Sequence, residues 1–156
     1  MKGLDPVIEI LNESLTHELT AINQYFIHGR MLQNWGYQRL ADKLMAESIE
    51  EMKHAQTLID KILFLEGVPN LQKLGKVNVG QTVPEMLECD LAAEISAREL
   101  YNRAVDLCRT HSDHGTAELF EKLVLDEEEH IDWIEAQQDL IKQVGVENYL
   151  AQQIRA

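Results

Sequence analysis

The sequence predicts an all-α fold, namely a four-helix bundle with one long crossover and a short fifth helix at the C-terminus. Turn-forming residues divide the 156-residue chain into segments of about 30 residues. No stretch alternates apolar and polar residues for long enough to indicate a β-strand. A helix of that length is about 45 Å long, so four of them form one elongated domain covering residues 1–156.

The first two helices are bounded by a cap and two glycines. Asp5 is a predicted N-cap, and Pro6 occupies the favoured first helical position. Gly36 separates the first helix from the second, which ends at Gly67. These helices are predicted over residues 6–35 and 37–66.

The remaining helices have their own start signals. A capping box runs from Thr82 to Glu85, and Ser112-Asp113 offers a further cap. Gly145 separates a final short segment from the helix before it. These helices are predicted over residues 83–111, 114–144 and 146–155.

The junction from Gly67 to Gln81 differs from the other two long-helix junctions, which are tight enough for antiparallel hairpins. It contains Pro69, Gly75 and Gly80, and 15 extended residues reach at most about 50 Å. This segment can therefore run the length of the bundle, as the single long crossover of ferritin-like bundles does.

Composition and charge exclude several classes of protein. The chain carries 27 acidic and 14 basic residues, for a net charge of −13, so it repels nucleic acid. Two cysteines, Cys89 and Cys108, rule out a disulfide scaffold and suggest a reducing compartment. No secretory signal or membrane span is recognisable, and we expect a cytoplasmic protein.

Two Glu-x-x-His motifs repeat with a fixed offset. Glu51 precedes His54 and Glu127 precedes His130 at helical i, i+3 spacing, and the two motifs are 76 residues apart. The same offset relates Glu18 to Glu94. It also relates two tyrosines, each seven residues after its glutamate, at Tyr25 and Tyr101. The two halves of the chain are therefore predicted to be one helical hairpin used twice.

Helical periodicity places all six of these acids and histidines within apolar stripes. Four carboxylates buried together would repel one another and lose hydration. Two divalent cations would neutralise them, and oxygen-rich ligation with two imidazoles favours iron or manganese. The alternative is that the acids lie on solvated faces or pair with lysines. The six predicted ligands are Glu18, Glu51, His54, Glu94, Glu127 and His130.

Over essentially its whole length the chain resembles bacterioferritin. The segments that carry the resemblance are Asn23–Phe26, Glu50–Ala55, Leu63–Gly67, Glu127–His130 and Gly145–Leu150. The resemblance implies that the six residues are ferroxidase ligands, with Glu51 and Glu127 bridging two irons. It also implies oxidation of Fe(II) by dioxygen or hydrogen peroxide, and storage of the ferric mineral in a hollow homo-oligomeric cage of roughly 24 subunits built from two-fold dimers.

A second apolar stripe lies on the first two helices, away from the predicted metal face. Apolar residues that a monomeric bundle would not need there imply a partner subunit or an apolar ligand. They are Leu19, Ile22 and Phe26 on the first helix, and Met45, Ile49, Met52, Ile59 and Leu63 on the second. The resemblance implies that Met52 is an axial ligand of a b-type haem shared by two subunits. The implied haem-pocket residues are Leu19, Ile22, Asn23, Phe26, Met45 and Ile49.

The chain departs from some bacterioferritins at three positions. Ala46 and Glu50 stand where those members carry histidine and aspartate as an inner-surface iron site, and Met45 replaces an aromatic residue. Four further histidines are predicted to lie on the surface or at an interface. They are His17, His28, His111 and His114.

Other interpretations are a rubrerythrin-type peroxide scavenger, a helical interaction module and a DNA-protecting mini-ferritin. The first usually carries an additional CxxC domain, which this chain lacks, and the last has a basic tail. A helical interaction module that catalyses no reaction would not need six ligand-type residues repeated in the two halves of the chain. The predicted partners of the favoured interpretation are further copies of this chain and a ferredoxin-like electron donor for iron release. A shell mixed with a paralogous subunit is the alternative to a homo-oligomer.

Overall fold

Residues 1–155, which the computed structural model describes, form five α-helices and no β-strand. The predicted all-α class is confirmed. The helices are α1 (Asp5–Trp35), α2 (Gln38–Phe64), α3 (Val83–Thr110), α4 (His114–Val144) and α5 (Val146–Ala151). Helix α1 packs along α2 and α3 along α4, α1 also packs against α3, and α5 folds back on α4. Within this part of the chain, no helix is both long and apolar enough to cross a membrane.

Two predicted caps are confirmed and one is wrong. The Thr82 side chain accepts a hydrogen bond from Glu85 N, and Asp113 accepts one from Thr116 N at 3.0 Å. Helix α1 instead has Leu4 as its N-cap residue, with Asp5 inside the first turn. The Leu4 carbonyl already accepts the first hydrogen bonds of the helix. The Asp5 carboxylate, in the first turn, still interacts favourably with the positive end of the helix dipole.

Two helices end at least two residues earlier than predicted, and α3 ends one residue earlier, at Thr110. Helix α2 ends at Phe64 rather than residue 66, because Glu66 adopts a positive φ of 61° and Gly67 N bonds back to the Ile62 carbonyl. Helix α5 ends at Ala151 rather than residue 155. The chain there turns toward α2, where the Gln153 carbonyl accepts a hydrogen bond from Arg39 N at 2.9 Å.

The crossover runs along α1 and is held by polar side chains of that helix. Asn12 and Thr20 accept hydrogen bonds from Asn70 N and Gly75 N, both at 2.8 Å. Farther along, the His28 Nε2 atom accepts from Gly80 N at 3.0 Å. The prediction that His28 lies at the surface or an interface is therefore wrong, since its side chain is buried beneath the crossover.

The apolar core consists of two clusters at opposite ends of the bundle. One includes Leu11, Leu58 and Phe120, and the other includes Leu44 and Leu87. Along each of the four long helices, the section between the two clusters contains buried acids or histidines instead of aliphatic residues. The middle of the bundle is therefore a polar layer enclosed by two apolar ones.

Candidate metal centre

The polar layer brings the six predicted ligands together. Their ligand atoms form two groups, and the atoms within each group lie within 4.8 Å of one another. The groups are Glu18, Glu51, His54 and Glu127, and Glu51, Glu94, Glu127 and His130. Glu51 and Glu127 thus belong to both, in the positions that bridging carboxylates of a dinuclear centre occupy. Each group offers three carboxylates and one imidazole.

The carboxylates are buried without enough hydrogen-bond donors. Glu18, Glu51, Glu94 and Glu127 are each at most 2% exposed. Each has at least one oxygen that accepts no hydrogen bond from the protein, and for Glu127 this holds for both oxygens. Buried carboxylate oxygens that accept no hydrogen bond lower the stability of the fold. This set of oxygen ligands therefore fits cations placed between them.

The Nδ1 atoms of both histidines face these oxygens. His54 Nδ1 lies 3.1 Å from Glu51 and 3.3 Å from Glu127. His130 Nδ1 lies 3.1 Å from Glu51 and 3.5 Å from Glu94. The two imidazole rings are stacked, with centroids 6.1 Å apart. Oxygen donors with two imidazole nitrogens suit iron or manganese.

Bound protons offset part of the negative charge of these groups when no metal is bound. Burial is the main cause that raises the pKa of Glu18 well above its usual range, and the Glu51 carboxylate adds to this. Burial opposes the charged form of His130, but Glu127 and Glu51 outweigh it and raise its pKa to about 10. Burial likewise opposes a charged His54, and Glu127, Glu18 and Glu51 hold its pKa above its ordinary value.

Two tyrosine hydroxyls fix the terminal carboxylates. Tyr25 donates a hydrogen bond to Glu94 at 2.5 Å, and Tyr101 donates one to Glu18. The 76-residue offset therefore relates these two contacts as well as the ligands. Both tyrosines are buried, and burial raises the pKa of Tyr25 well above its ordinary value.

The outer nitrogens of the two histidines face acids that were not among the predicted site residues. His54 Nε2 lies 3.0 Å from Asp126, and His130 Nε2 lies 3.0 Å from Glu47. Glu47 could have been found from the sequence, because it lies one helical turn before Glu51 in the same apolar stripe. Asp126 had no such signal, since its side chain is half exposed.

The predicted haem residues lie on the outer face of α1 and α2. Met52 is 56% exposed, although the preceding residue, Glu51, is buried in the polar layer. A groove beside it includes Leu19, Ile22 and Asn23. Phe26 and Ile49 are exposed nearby on the same two helices, and Met45 packs against the Gly29 backbone, where a Cβ would lie 2.8 Å from the Met45 sulfur. An exposed thioether among apolar side chains fits the axial ligand of an apolar macrocycle.

Comparison with known proteins gives one consistent family. The ferritin-like domain family matches residues 8–144. The chain is 49% identical over 152 residues to a bacterioferritin of Mycolicibacterium paratuberculosis, covering 97% of this chain and 96% of that protein. It is 49% identical over 149 residues to a bacterioferritin of Brucella melitensis, covering 96% of this chain and 92% of that protein. It is 46% identical over 151 residues to one of Streptomyces coelicolor, covering 97% of this chain and 90% of that protein. The chain belongs to the bacterioferritins, within the ferritin-like family.

Proposed function

We propose that this protein stores iron and is a ferroxidase, oxidising Fe(II) to Fe(III) at the six buried residues of the polar layer. The observation that carries the proposal is the pair of ligand groups that share Glu51 and Glu127, with carboxylate oxygens that lack donors. The relatives named bacterioferritin support the same activity.

Each ligand has a defined role in binding two Fe(II) ions as substrate. Glu18 and His54 hold one ion, Glu94 and His130 hold the other, and Glu51 and Glu127 bridge them. The hydroxyls of the two buried tyrosines keep the terminal carboxylates aimed inward. Four carboxylates match the charge of two divalent ions, so loading removes the electrostatic cost of burying the acids.

The oxidation balances with dioxygen or hydrogen peroxide as oxidant. Each Fe(II) gives up one electron. Two electrons and two protons reduce dioxygen to hydrogen peroxide, or reduce hydrogen peroxide to two waters. The ferric product leaves the ligands as a hydrolysed mineral precursor for storage.

Storage requires an enclosed volume, which a single bundle lacks. We infer a closed cage of roughly 24 copies, built from two-fold dimers that cover the exposed apolar face of α1 and α2. A b-type haem held between two copies by Met52 from each would supply electrons that reduce stored ferric iron. A ferredoxin-like protein would be the donor, and the cytoplasm the compartment.

Rapid-mixing kinetics of Fe(II) oxidation test the ferroxidase assignment. We expect Glu18→Ala, Glu94→Ala and His130→Ala each to abolish most of the fast ferric absorbance change. Assembly should survive, because removing a buried carboxylate also removes repulsion. Glu118→Ala is the matched control, since this α4 carboxylate is exposed and pairs only with Lys122. Fast oxidation that persists in all three ligand variants would contradict the proposal.

A further inference from the structure

The two histidines of the metal centre are held from behind in different ways. Behind His130, the Glu47 carboxylate is buried, and its second oxygen lies 2.6 Å from Lys43 Nζ. The same ammonium group lies 4.9 Å from the ring centroid of Trp133. Lys43 is therefore fixed by a carboxylate on its own helix and by an aromatic ring on α4, the helix that carries His130. We refer to the Lys43–Glu47 ion pair behind His130 as the clamp.

On the outer side of His54, residues 1–155 contain no comparable pair of a lysine and a buried carboxylate. Its outer nitrogen faces Asp126, whose side chain is 51% exposed. Within residues 1–155, no lysine or arginine forms an ion pair with Asp126. Water can therefore compete for this carboxylate, whereas the buried Glu47 has its position set by Lys43.

The internal repeat shows that this difference is built into the sequence. The residue 76 positions before Asp126 is Glu50, which would face His130 if the halves were equivalent. Glu50 instead pairs with Lys53 at 2.9 Å and is exposed. The residue 76 positions after Glu47 is Leu123, a core residue of the other half. The Lys43–Glu47 pair thus has no counterpart behind His54.

We propose that Lys43, acting through Glu47, is a positioning residue that fixes the imidazole of His130 for metal binding. The Glu47 carboxylate accepts a hydrogen bond from Nε2–H of His130, which leaves the Nδ1 lone pair directed at Glu51, Glu94 and Glu127. Outer partners of this kind orient metal-bound histidines and affect metal affinity. The inference rests on the proposed dinuclear site.

Titration of the iron-free protein with Co(II) tests the clamp without measuring oxidation. The ligand-field absorption of Co(II) reports the number and geometry of its ligands. The unaltered protein should bind two Co(II) per subunit. Glu47→Gln should weaken one of the two by about 10- to 100-fold, and Lys43→Met should weaken the same one by about 10-fold with a change in its absorption bands.

Two further variants separate positioning from general charge or stability effects. Lys43→Arg retains the ion pair and should restore the spectrum of the unaltered protein. Lys53→Met removes a lysine charge from the same helix without touching Glu47, and should titrate normally. The Lys43 and Lys53 variants should melt at nearly the same temperature as the unaltered protein, because both lysine side chains reach solvent.

The possible outcomes distinguish the clamp from the site. If Lys43→Met and Lys53→Met give the same two-ion titration as the unaltered protein, the clamp is wrong and the dinuclear site stands. If the unaltered protein binds no Co(II) pair, the dinuclear site is wrong and the clamp is overturned with it.

Discussion

At the scale of single residues, the negative charge of the polar layer is offset by protons when no metal is bound. In our proposal, metal cations replace these protons. Without metal, the imidazoles of His54 and His130 carry protons because carboxylates surround them, and Glu18 holds a proton because it is buried. In the proposed metal-bound state, these atoms are ligands. A ligand nitrogen or oxygen cannot keep the proton that occupies its lone pair, so metal and protons compete for the same atoms.

We therefore expect metal binding to release protons and to become tighter as pH rises. The pKa of His130 is raised from 6.5 to about 10, so its proton must be displaced at any pH below about 10. Raised pKa values at Glu18 and His54 act in the same direction. Zn(II) titration between about pH 6 and about pH 8 in weakly buffered indicator solution measures both quantities. Affinity independent of pH, with no proton release, would contradict these protonation states.

The residues of the site divide into those the sequence could predict and those it could not. The six proposed ligands stood out because each sits in an apolar stripe and has a partner 76 residues away. Glu47 meets only the first condition, because it lies in the apolar stripe of α2 but has Leu123 at the equivalent position of the other half. Asp126 meets neither condition, since it is half exposed and its equivalent, Glu50, is exposed as well. Their roles depend on which side chain reaches an imidazole across the bundle, and only the packed helices determine that.

At the scale of secondary-structure elements, the crossover is attached to α1 by side-chain hydrogen bonds. Gln24 and His28 of α1 both contact the Asp90 carboxylate of α3, at 2.9 Å and 3.0 Å. The same two side chains accept hydrogen bonds from Asn78 N and Gly80 N of the crossover. One buried polar cluster thus joins α1, α3 and the crossover. Sequence patterns predicted the crossover from its length, but they could not show which α1 side chains would satisfy its backbone.

We expect Gly80→Ala to destabilise the protein by about 2 kcal/mol or more, because strain at a tightly packed backbone is among the costly single changes. A Cβ on Gly80 would lie 2.3 Å from the Met86 backbone nitrogen, so backbone must move. Gly115→Ala is the matched control: its Cβ would have no neighbour closer than 3.6 Å, and alanine favours the helix. Thermal unfolding of both variants measures the difference, and equal melting temperatures would count against the tight fit at Gly80.

At the scale of the whole molecule, the strongly acidic chain, with a net charge of −13, exposes an apolar area, part of which lines one groove. Exposed side chains on α1, α2 and the crossover include Phe26, Ile49, Leu63, Leu71 and Leu74, each more than half exposed. Such an area is larger than isolated surface hydrophobes produce and indicates a partner surface. A two-fold contact would place each residue near its own copy.

We expect Ile49→Asp to break this contact, because two like charges would be buried near the two-fold axis. Native mass should fall from that of a large cage to monomers or small oligomers, while the helical circular dichroism signal is retained. Glu50→Asp changes the neighbouring exposed residue without adding charge, and should assemble normally. A stable monomer from the unaltered chain would contradict the cage proposal.

The proposed assembly and the proposed haem binding are linked, because Met52 lies on the same outer face. The residue before it, Glu51, is a buried member of both ligand groups. Adjacent residues on a helix point about 100° apart, so Met52 points away from the metal centre and, in the proposed dimer, toward a second copy. Across a two-fold axis its own counterpart would face it, and two opposed thioethers could hold a planar macrocycle from both sides.

Met52→Leu should therefore separate haem binding from the rest of the function. Leucine is close to methionine in volume, so folding and assembly should change little. Fe(II) oxidation should stay close to normal, because the proposed ligands are on the other face of α2. Haem content should fall to near zero, and reductive release of stored iron should slow. Met31→Leu, a half-buried methionine of α1 away from the groove, controls for loss of a thioether. Full haem occupancy in Met52→Leu, with an unchanged reduced absorption spectrum, would show that another residue holds the haem.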